Sequence, residues 1–281
     1  MLDWPTKCDC SQEKGPLAVI GDIHGCWDEL CNLVSKLGGV ISDSGLILIS
    51  EERELKLISV GDLLDRGPKS AQVLNLFINH WLYEEGRLSV ELPKGYKVAK
   101  IYCALGNHDF KYWRYLQGRK IIFNAGMQRS ADSFASELFL HSADLLSEYL
   151  HTLPHYFIFD EGKLLVSHAG LSEEKQSYQD KKEEESTRRF CLYGDVTGEF
   201  DEDGFPIRLH WEEEYHGKAT VVYGHTVVKE PQIVNNTYNI DTGCVFGGKL
   251  TALLYPSMEF VSVPANQEYF SHDQVLTPHQ P

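Results

Sequence analysis

Residues 17–25 read Leu17-Ala18-Val19-Ile20-Gly21-Asp22-Ile23-His24-Gly25: four apolar residues, a glycine, then an acid and a histidine ahead of a second glycine. The apolar run has the length and composition of a buried strand, and Gly21 ends it. The same arrangement recurs down the chain. Residues 55–60 run into Gly61-Asp62-Leu63-Leu64-Asp65-Arg66-Gly67-Pro68, and residues 98–105 run into Gly106-Asn107-His108-Asp109. Ser167-His168-Ala169-Gly170 and Gly224-His225-Thr226 close two further apolar runs. Glycine at such points lets the backbone turn sharply and a ligand approach closely. The ends of strands in α/β sheets are also where a crevice opens for chemistry. One Asp-x-His is usually a structural turn; five strand ends carrying Asp, Asn or His are a site.

Working outward, Trp27, Leu30, Cys31, Val34 and Leu37 recur at helical spacing, and so do Ser70, Leu74, Phe77, Ile78 and Trp81. Helix is also expected around Leu138, Leu145, Leu146, Tyr149 and Leu150. The segments 156–159 and 164–167 flank Asp160-Glu161-Gly162, which is a hairpin signal. Short apolar runs near 238–240, 250–255 and 258–263 suggest antiparallel strands to the end. Helical crossovers in the first half and hairpins in the second predict an α/β (α+β) fold, with a mixed sheet or two stacked sheets and helices outside. Residues 41–56 and 84–97 read as surface insertions. The charged run 172–189 reads as a solvated loop or helix face, or as a loop that gates the site. The expected domain is 17–265, with tails at 1–16 and 266–281.

The chain has 281 residues, 42% hydrophobic and 24% charged, which is globular composition rather than disordered or fibrous. No apolar run approaches the ~18 residues of a membrane span, and residues 1–16 lack the apolar stretch of a signal peptide. A cytoplasmic protein is expected. The net charge of −15 argues against a long nucleic acid as the main partner, but not against a small phosphate drawn to a local cation. Seven scattered cysteines read as reduced thiols. Cys8 and Cys10 form a C-x-C with no second pair, which is poor support for a zinc knot.

The strand-end groups are carboxylate, imidazole and amide oxygen, with no thiolate. That set suits Mn²⁺, Fe or Zn²⁺ rather than Cu(I) or an iron–sulfur centre. Of the twelve histidines only His24, His108, His168 and His225 stand in this context.

In order, GDIHG, GDLLDRGP, GNHD, SHAG and GHT resemble the signature of metallophosphoesterases of the phosphoprotein-phosphatase superfamily, over nearly the whole chain. Residues 193–199 and 239–250 further resemble two bacterial branches. These are the diadenosine tetraphosphatase-like enzymes and the phosphatase module of polynucleotide kinase-phosphatase. The resemblance implies a calcineurin-like fold of two stacked mixed β-sheets flanked by helices. It implies two divalent metal ions, Mn²⁺ first, with Fe, Zn, Ni or Co as alternatives. Asp22 and His24 would hold one ion, Asp62 would bridge, and Asn107, His168 and His225 would complete the other. Arg66 would grip a phosphate oxygen, together with Asn107, and His108 would act as general acid oriented by Asp65. Asp241 matches an acid of functional importance in the kinase-phosphatase relatives and would join Arg66 and Asn107 in binding substrate. Asp109 stands where eukaryotic protein phosphatases commonly carry Glu, which favours a bacterial-type branch.

The chemistry so implied is hydrolysis of a small or nucleotide phosphate by direct attack of a hydroxide generated between the ions. A dinucleoside polyphosphate, a nucleotide monoester and a cyclic phosphate all qualify as substrate. A protein serine/threonine phosphatase shares all five motifs and is the alternative enzyme. A non-catalytic metal-binding regulator would need a motif to have lost its ligand, and none has. Arg114, Arg188, Arg189 and Arg208 are candidates for a second phosphate grip, and Trp113 and Trp211 for stacking a base, against surface charge and core packing. Oligomeric state is not legible.

Overall fold

The computed structural model describes residues 4–136, 138–200 and 206–271. Leu17–Ile20 is buried along its whole length, and its side chains alternate between two cores. Leu17 and Val19 join Ile58, Phe157, Phe159, Leu164, Val166 and Val222 between two sheets. Ala18 and Ile20 turn the other way, to Leu30, Leu33, Leu57, Leu74 and Phe77 beneath the helices. A strand buried on both faces must be apolar at every position, which explains its unbroken run.

Two sheets therefore stack with helices outside. The five-stranded sheet has the order Glu259–Pro264, Lys249–Tyr255, Leu17–Ile20, Lys56–Ser59, Lys100–Cys103. Its last three strands run parallel, and Leu17–Ile20 pairs antiparallel with Lys249–Tyr255. The six-stranded sheet has the order Lys7–Cys10, Tyr156–Phe159, Leu164–Ser167, Thr220–Tyr223, Thr237–Asn239, Gln232–Val234. Helices Trp27–Lys36 and Ser70–Glu84 pack over the first sheet, and Phe190, Trp211 and Tyr215 cover the outer face of the second. Among the described residues no helix is long and apolar enough to cross a membrane.

Several expectations need correction. The segment 1–16 is not simply a tail, because Lys7–Cys10 pairs in parallel with Tyr156–Phe159 as an edge strand. Its Cys8 and Cys10 lie on one side of that strand, with Sγ atoms 3.6 Å apart. At the other end, Tyr269 donates to Glu29 Oε1 at 2.8 Å and Phe270 is buried. The expected tail 266–281 is thus docked through 271, and residues 272–281 lie outside the described residues. Residues 41–56 are not a surface insertion either. Leu46, Ile47 and Ile49 are buried, and Ile47–Ser50 joins Val40–Ile41 and Tyr96–Val98 in a separate three-stranded sheet. The two expected insertions pair with each other. The final strands are not all antiparallel, since Thr237–Asn239 runs parallel to Thr220–Tyr223.

Candidate active site and metal centre

All five glycine-flanked segments meet at one end of the stacked sheets, and their backbones are unusual there. His24 (φ 44°), Asp62 (50°), Asp65 (73°), Arg66 (70°) and His225 (68°) occupy the left-handed region. Such conformations cost on the order of 1–3 kcal/mol each for non-glycine residues, and persist where the surroundings over-determine them. Here backbone donors are committed. His24 N donates to Asp62 O at 2.8 Å, Asp65 N to Ser130 Oγ at 2.8 Å, and His225 N to the Asp22 carboxylate at 3.2 Å. Two glycines are demanded by contact. A Cβ at Gly106 would stand 2.1 Å from Asp62 N, and one at Gly224 would stand 2.0 Å from Asp22 Oδ1.

Asp62 is the hub. Its Oδ1 accepts from the His108 backbone N–H at 2.9 Å. Its Oδ2 lies 3.4 Å from His24 Nε2 on one side and 3.5 Å from His168 Nε2 on the other. His168 Nε2 is in turn 2.8 Å from Asn107 Oδ1 and 3.0 Å from His225 Nδ1. His24 Nδ1 donates to Leu64 O at 2.8 Å, which leaves Nε2 as the ring's lone-pair nitrogen. Two three-residue clusters result, His24/Asp62/His108 and Asp62/His168/His225, and Asp62 belongs to both.

Asp22 stands apart from these clusters. Both its oxygens accept from His225 N, at 3.2 and 3.3 Å. Burial and the nearby Asp241 and Asp62 push its carboxyl well above the usual range. Burial, then Asp109, does the same to Asp62. Burial raises Asp241 to about 6, and its Oδ1 accepts from Gly243 N at 3.1 Å. Burial lowers His24, His168 and His225 well below the ordinary imidazole value. Convergent neutral imidazoles, an amide oxygen and carboxylates that burial holds against ionisation form a donor set a divalent cation would relieve. The residues present fit such ions.

His108 is held from behind. Its Nδ1 is 2.7 Å from Asp65 Oδ2, while Asp65 Oδ1 accepts from Ser130 Oγ at 2.9 Å. Burial lifts Asp65 to about 6. Ser130, from helix Ala125–Phe134, was missed by sequence reasoning, because a lone serine in an unremarkable helix carries no local signal. Asp109 acts differently from its neighbours. Its carboxylate accepts from Gly106 N at 3.1 Å and Leu63 N at 3.0 Å, binding two site loops together at the start of helix Asn107–Leu116. Arg66 reaches over the cluster, with Nη1 2.8 Å from His24 Nε2 and its guanidinium against the Phe246 ring.

A cleft of about 870 Å³ opens above, lined among others by Asp62, Arg66, Asn107, His108 and His225. Arg189 and Arg208 line it too, whereas Arg188 is spent on Trp4 O and Glu184, and Arg114 lies over Phe110. Trp211 is buried in the core, and Trp113 packs with Trp4 and Phe110. Neither indole lines the cleft.

The model of the calcineurin-like phosphoesterase family matches residues 15–247, which includes every one of these segments. This chain belongs to the calcineurin-like phosphoesterases. Membership in that hydrolase family implies a binuclear divalent-metal site. Among curated proteins, this phosphoesterase is 44% identical over 252 residues to bis(5′-nucleosyl)-tetraphosphatase PrpE (asymmetrical) of Bacillus cereus strain AH187. It is 45% identical to the protein of the same name in Bacillus anthracis strain CDC 684 / NRRL 3495. Both matches cover 88% of this chain and 94% of the relative. Among solved structures, one described as "a putative diadenosine tetraphosphatase" superposes with a TM-score of 0.60 at 24% identity. That match covers 93% of this phosphoesterase and 99% of that chain, a likeness of fold.

Proposed function

We propose that this phosphoesterase hydrolyses dinucleoside tetraphosphates asymmetrically, to a nucleoside monophosphate and a nucleoside triphosphate. The observation that carries the hydrolytic reading is the sharing of Asp62 Oδ2 between His24 and His168, the arrangement a bridging carboxylate needs. The substrate reading is supported by the relatives' name, at 44–45% identity over most of both chains.

Asp62, His24 and Asp22 would hold one ion and Asp62, Asn107, His168 and His225 the other, with Mn²⁺ the metal we favour. When bound, the ions supply the positive charge that activates water and draws electron density from the phosphoryl oxygens. Everything else falls to the chain. Arg66 offers a planar fork to the non-bridging oxygens of the attacked phosphate. His108, with Nδ1–H donated to Asp65, turns Nε2 toward the cleft to protonate the leaving oxygen. Asp65 steadies the positive ring while that proton is held. Water contributes the new P–O bond, the bond to the leaving phosphate breaks, and no covalent intermediate on the chain is required.

The test is kcat/KM at matched Mn²⁺ and salt for diadenosine tetraphosphate, a 2′,3′-cyclic nucleotide, a 3′-phosphate nucleotide and a phosphopeptide, with products separated chromatographically. AMP and ATP in equal amounts are expected from the tetraphosphate. A phosphopeptide preferred tenfold over every nucleotide would overturn the substrate reading, and two ADP per tetraphosphate would overturn the asymmetry.

A further inference from the structure

The cleft does not stop at the ligand cluster. It continues along helix Lys181–Tyr193, where Lys182, Ser186, Arg189 and Tyr193 line it at the spacing of one helical face. Lys175, just before the helix, adds another cation to the same wall, with Nζ 3.0 Å from Ser186 Oγ.

The opposite side of this helix is fastened to the body. Arg188 donates to Thr6 Oγ1 at 2.5 Å and to Trp4 O at 2.6 Å, and Thr6 donates to Glu184 Oε1 at 2.6 Å. Asp180 caps its first turn by accepting from Lys182 N and Glu183 N. The wall is therefore positioned rather than free to swing. Adjacent arginines have opposite fates, for Arg188 is consumed in that clasp while Arg189 is exposed to the cleft and makes no ion pair among the described residues. In a chain of net charge −15, Lys175, Lys182 and Arg189 on one wall, with Arg66 and Arg208 also in the cleft, outnumber the lining acids Asp62, Glu185 and Asp195, which favours an anion there. Glu185 is the acid this helix adds to the lining.

We infer that this helical wall is a second anion subsite, which grips the substrate's phosphates beyond the one under attack, with Arg189 its principal contact. The inference rests on the polyphosphate reading above. An arginine fork can span oxygens of neighbouring phosphates, and lysines serve as point charges beside it. A single-phosphate ester would be hydrolysed without using the wall at all.

Arg189→Ala, Arg189→Lys and Lys182→Glu test it, since both side chains are exposed and their replacement should not unfold the chain. The ratio of kcat/KM for diadenosine tetraphosphate to that for p-nitrophenyl phosphate should fall at least tenfold in Arg189→Ala, carried by KM, with Arg189→Lys intermediate. Independently, ADP and orthophosphate are compared as inhibitors of p-nitrophenyl phosphate turnover at fixed free Mn²⁺. Tighter inhibition by ADP in the parent, and a closing of that gap in Arg189→Ala, is the expected result. If ADP holds no advantage in the parent, or keeps it in the variant, the subsite is overturned even in an enzyme that cleaves the tetraphosphate. Should the parent fail to cleave the tetraphosphate while the ADP gap still closes, the activity reading falls and the subsite stands.

Discussion

Asp65 Oδ2 sits 2.7 Å from His108 Nδ1, and the same carboxylate is anchored through Oδ1 by Ser130 Oγ, itself 3.1 Å from Ser70 Oγ. The imidazole proposed to protonate the leaving group is thus oriented by a buried chain of hydrogen bonds drawn from three separate segments. Ser130→Ala should loosen that chain without touching a candidate ligand. General acid catalysis contributes typically 10²–10⁴-fold. We expect Ser130→Ala to lower turnover of an alkyl phosphate roughly tenfold and His108→Ala to lower it by the larger factor. Turnover of p-nitrophenyl phosphate, whose leaving group needs no proton, should change little. Equal losses on both substrates would assign the chain to binding or metal positioning instead.

Exhaustive chelation should abolish hydrolysis and Mn²⁺ should restore it. Asp62→Asn is expected to cost at least two orders of magnitude, since even outer-sphere partners of a metal typically cost 10–100-fold. An asparagine oxygen can still accept from His108 N, so the fold should survive. Metal content by mass spectrometry alongside circular dichroism checks both points. Full turnover in metal-free protein would refute the mechanism.

Gly106→Ala and Gly224→Ala should differ in kind. The new methyl at 106 meets both the backbone nitrogen of Asp62, which has no rotamer to escape into, and Asp62 Oδ1 at 2.2 Å, whereas at 224 it meets the end of the Asp22 side chain. Overpacking of this sort costs roughly 1–3 kcal/mol. Gly106→Ala should lower the thermal midpoint and weaken metal affinity together, because its methyl crowds the Asp62 carboxylate as well as the backbone, while Gly224→Ala should chiefly weaken metal affinity. Calorimetry and a metal titration would separate them.

His80 is buried, and its Nε2 accepts from Ile47 N at 2.8 Å. Burial pushes it down to about 4 from the ordinary imidazole value of 6.5. A depressed histidine binds its proton more readily in the unfolded chain, so stability rises with pH between the two values and is lost as pH falls from 6.5 toward 4. Fully expressed, that shift amounts to on the order of 3 kcal/mol. Urea unfolding at pH 7.5 and pH 5 should show the loss, and His80→Gln, which keeps an acceptor for Ile47 N–H, should show less of it. An unchanged pH dependence in the variant would place the acid sensitivity elsewhere, with His155, also lowered to about 4, the next candidate.

The candidate ligands were legible because glycine-flanked Asp and His after apolar runs are a local pattern, and local patterns survive in one dimension. His24, Asp62, His168 and His225 converge as that pattern suggests. Ser130 was not legible, since its partner lies 65 residues away and nothing around it differs from any amphipathic helix. Lys7–Cys10 was missed for a related reason. An edge strand half exposed to solvent needs no apolar run, and its parallel partner begins at Tyr156. The run 172–189 showed its charge but not which flank would be clasped and which would face the cleft. That division depends on Thr6 and Trp4, remote in the chain.

The clasp between the first residues and helix Lys181–Tyr193 bears on how this protein can be cut. A fragment trimmed to residue 15, where the family match begins, would retain every glycine-flanked motif. It would nonetheless strip Lys7–Cys10 from Tyr156–Phe159 and leave a bare row of strand amides and carbonyls, an invitation to self-association. It would also delete Trp4, whose indole N–H donates to Leu153 O at 2.7 Å, and Thr6, so that Arg188 would lose both of its amino-terminal acceptors. Such a fragment would be sticky and slack on one side of its cleft while its ligand cluster stayed chemically complete. Truncation at the opposite end of the sequence from Arg189 would then surface as a defect in substrate preference.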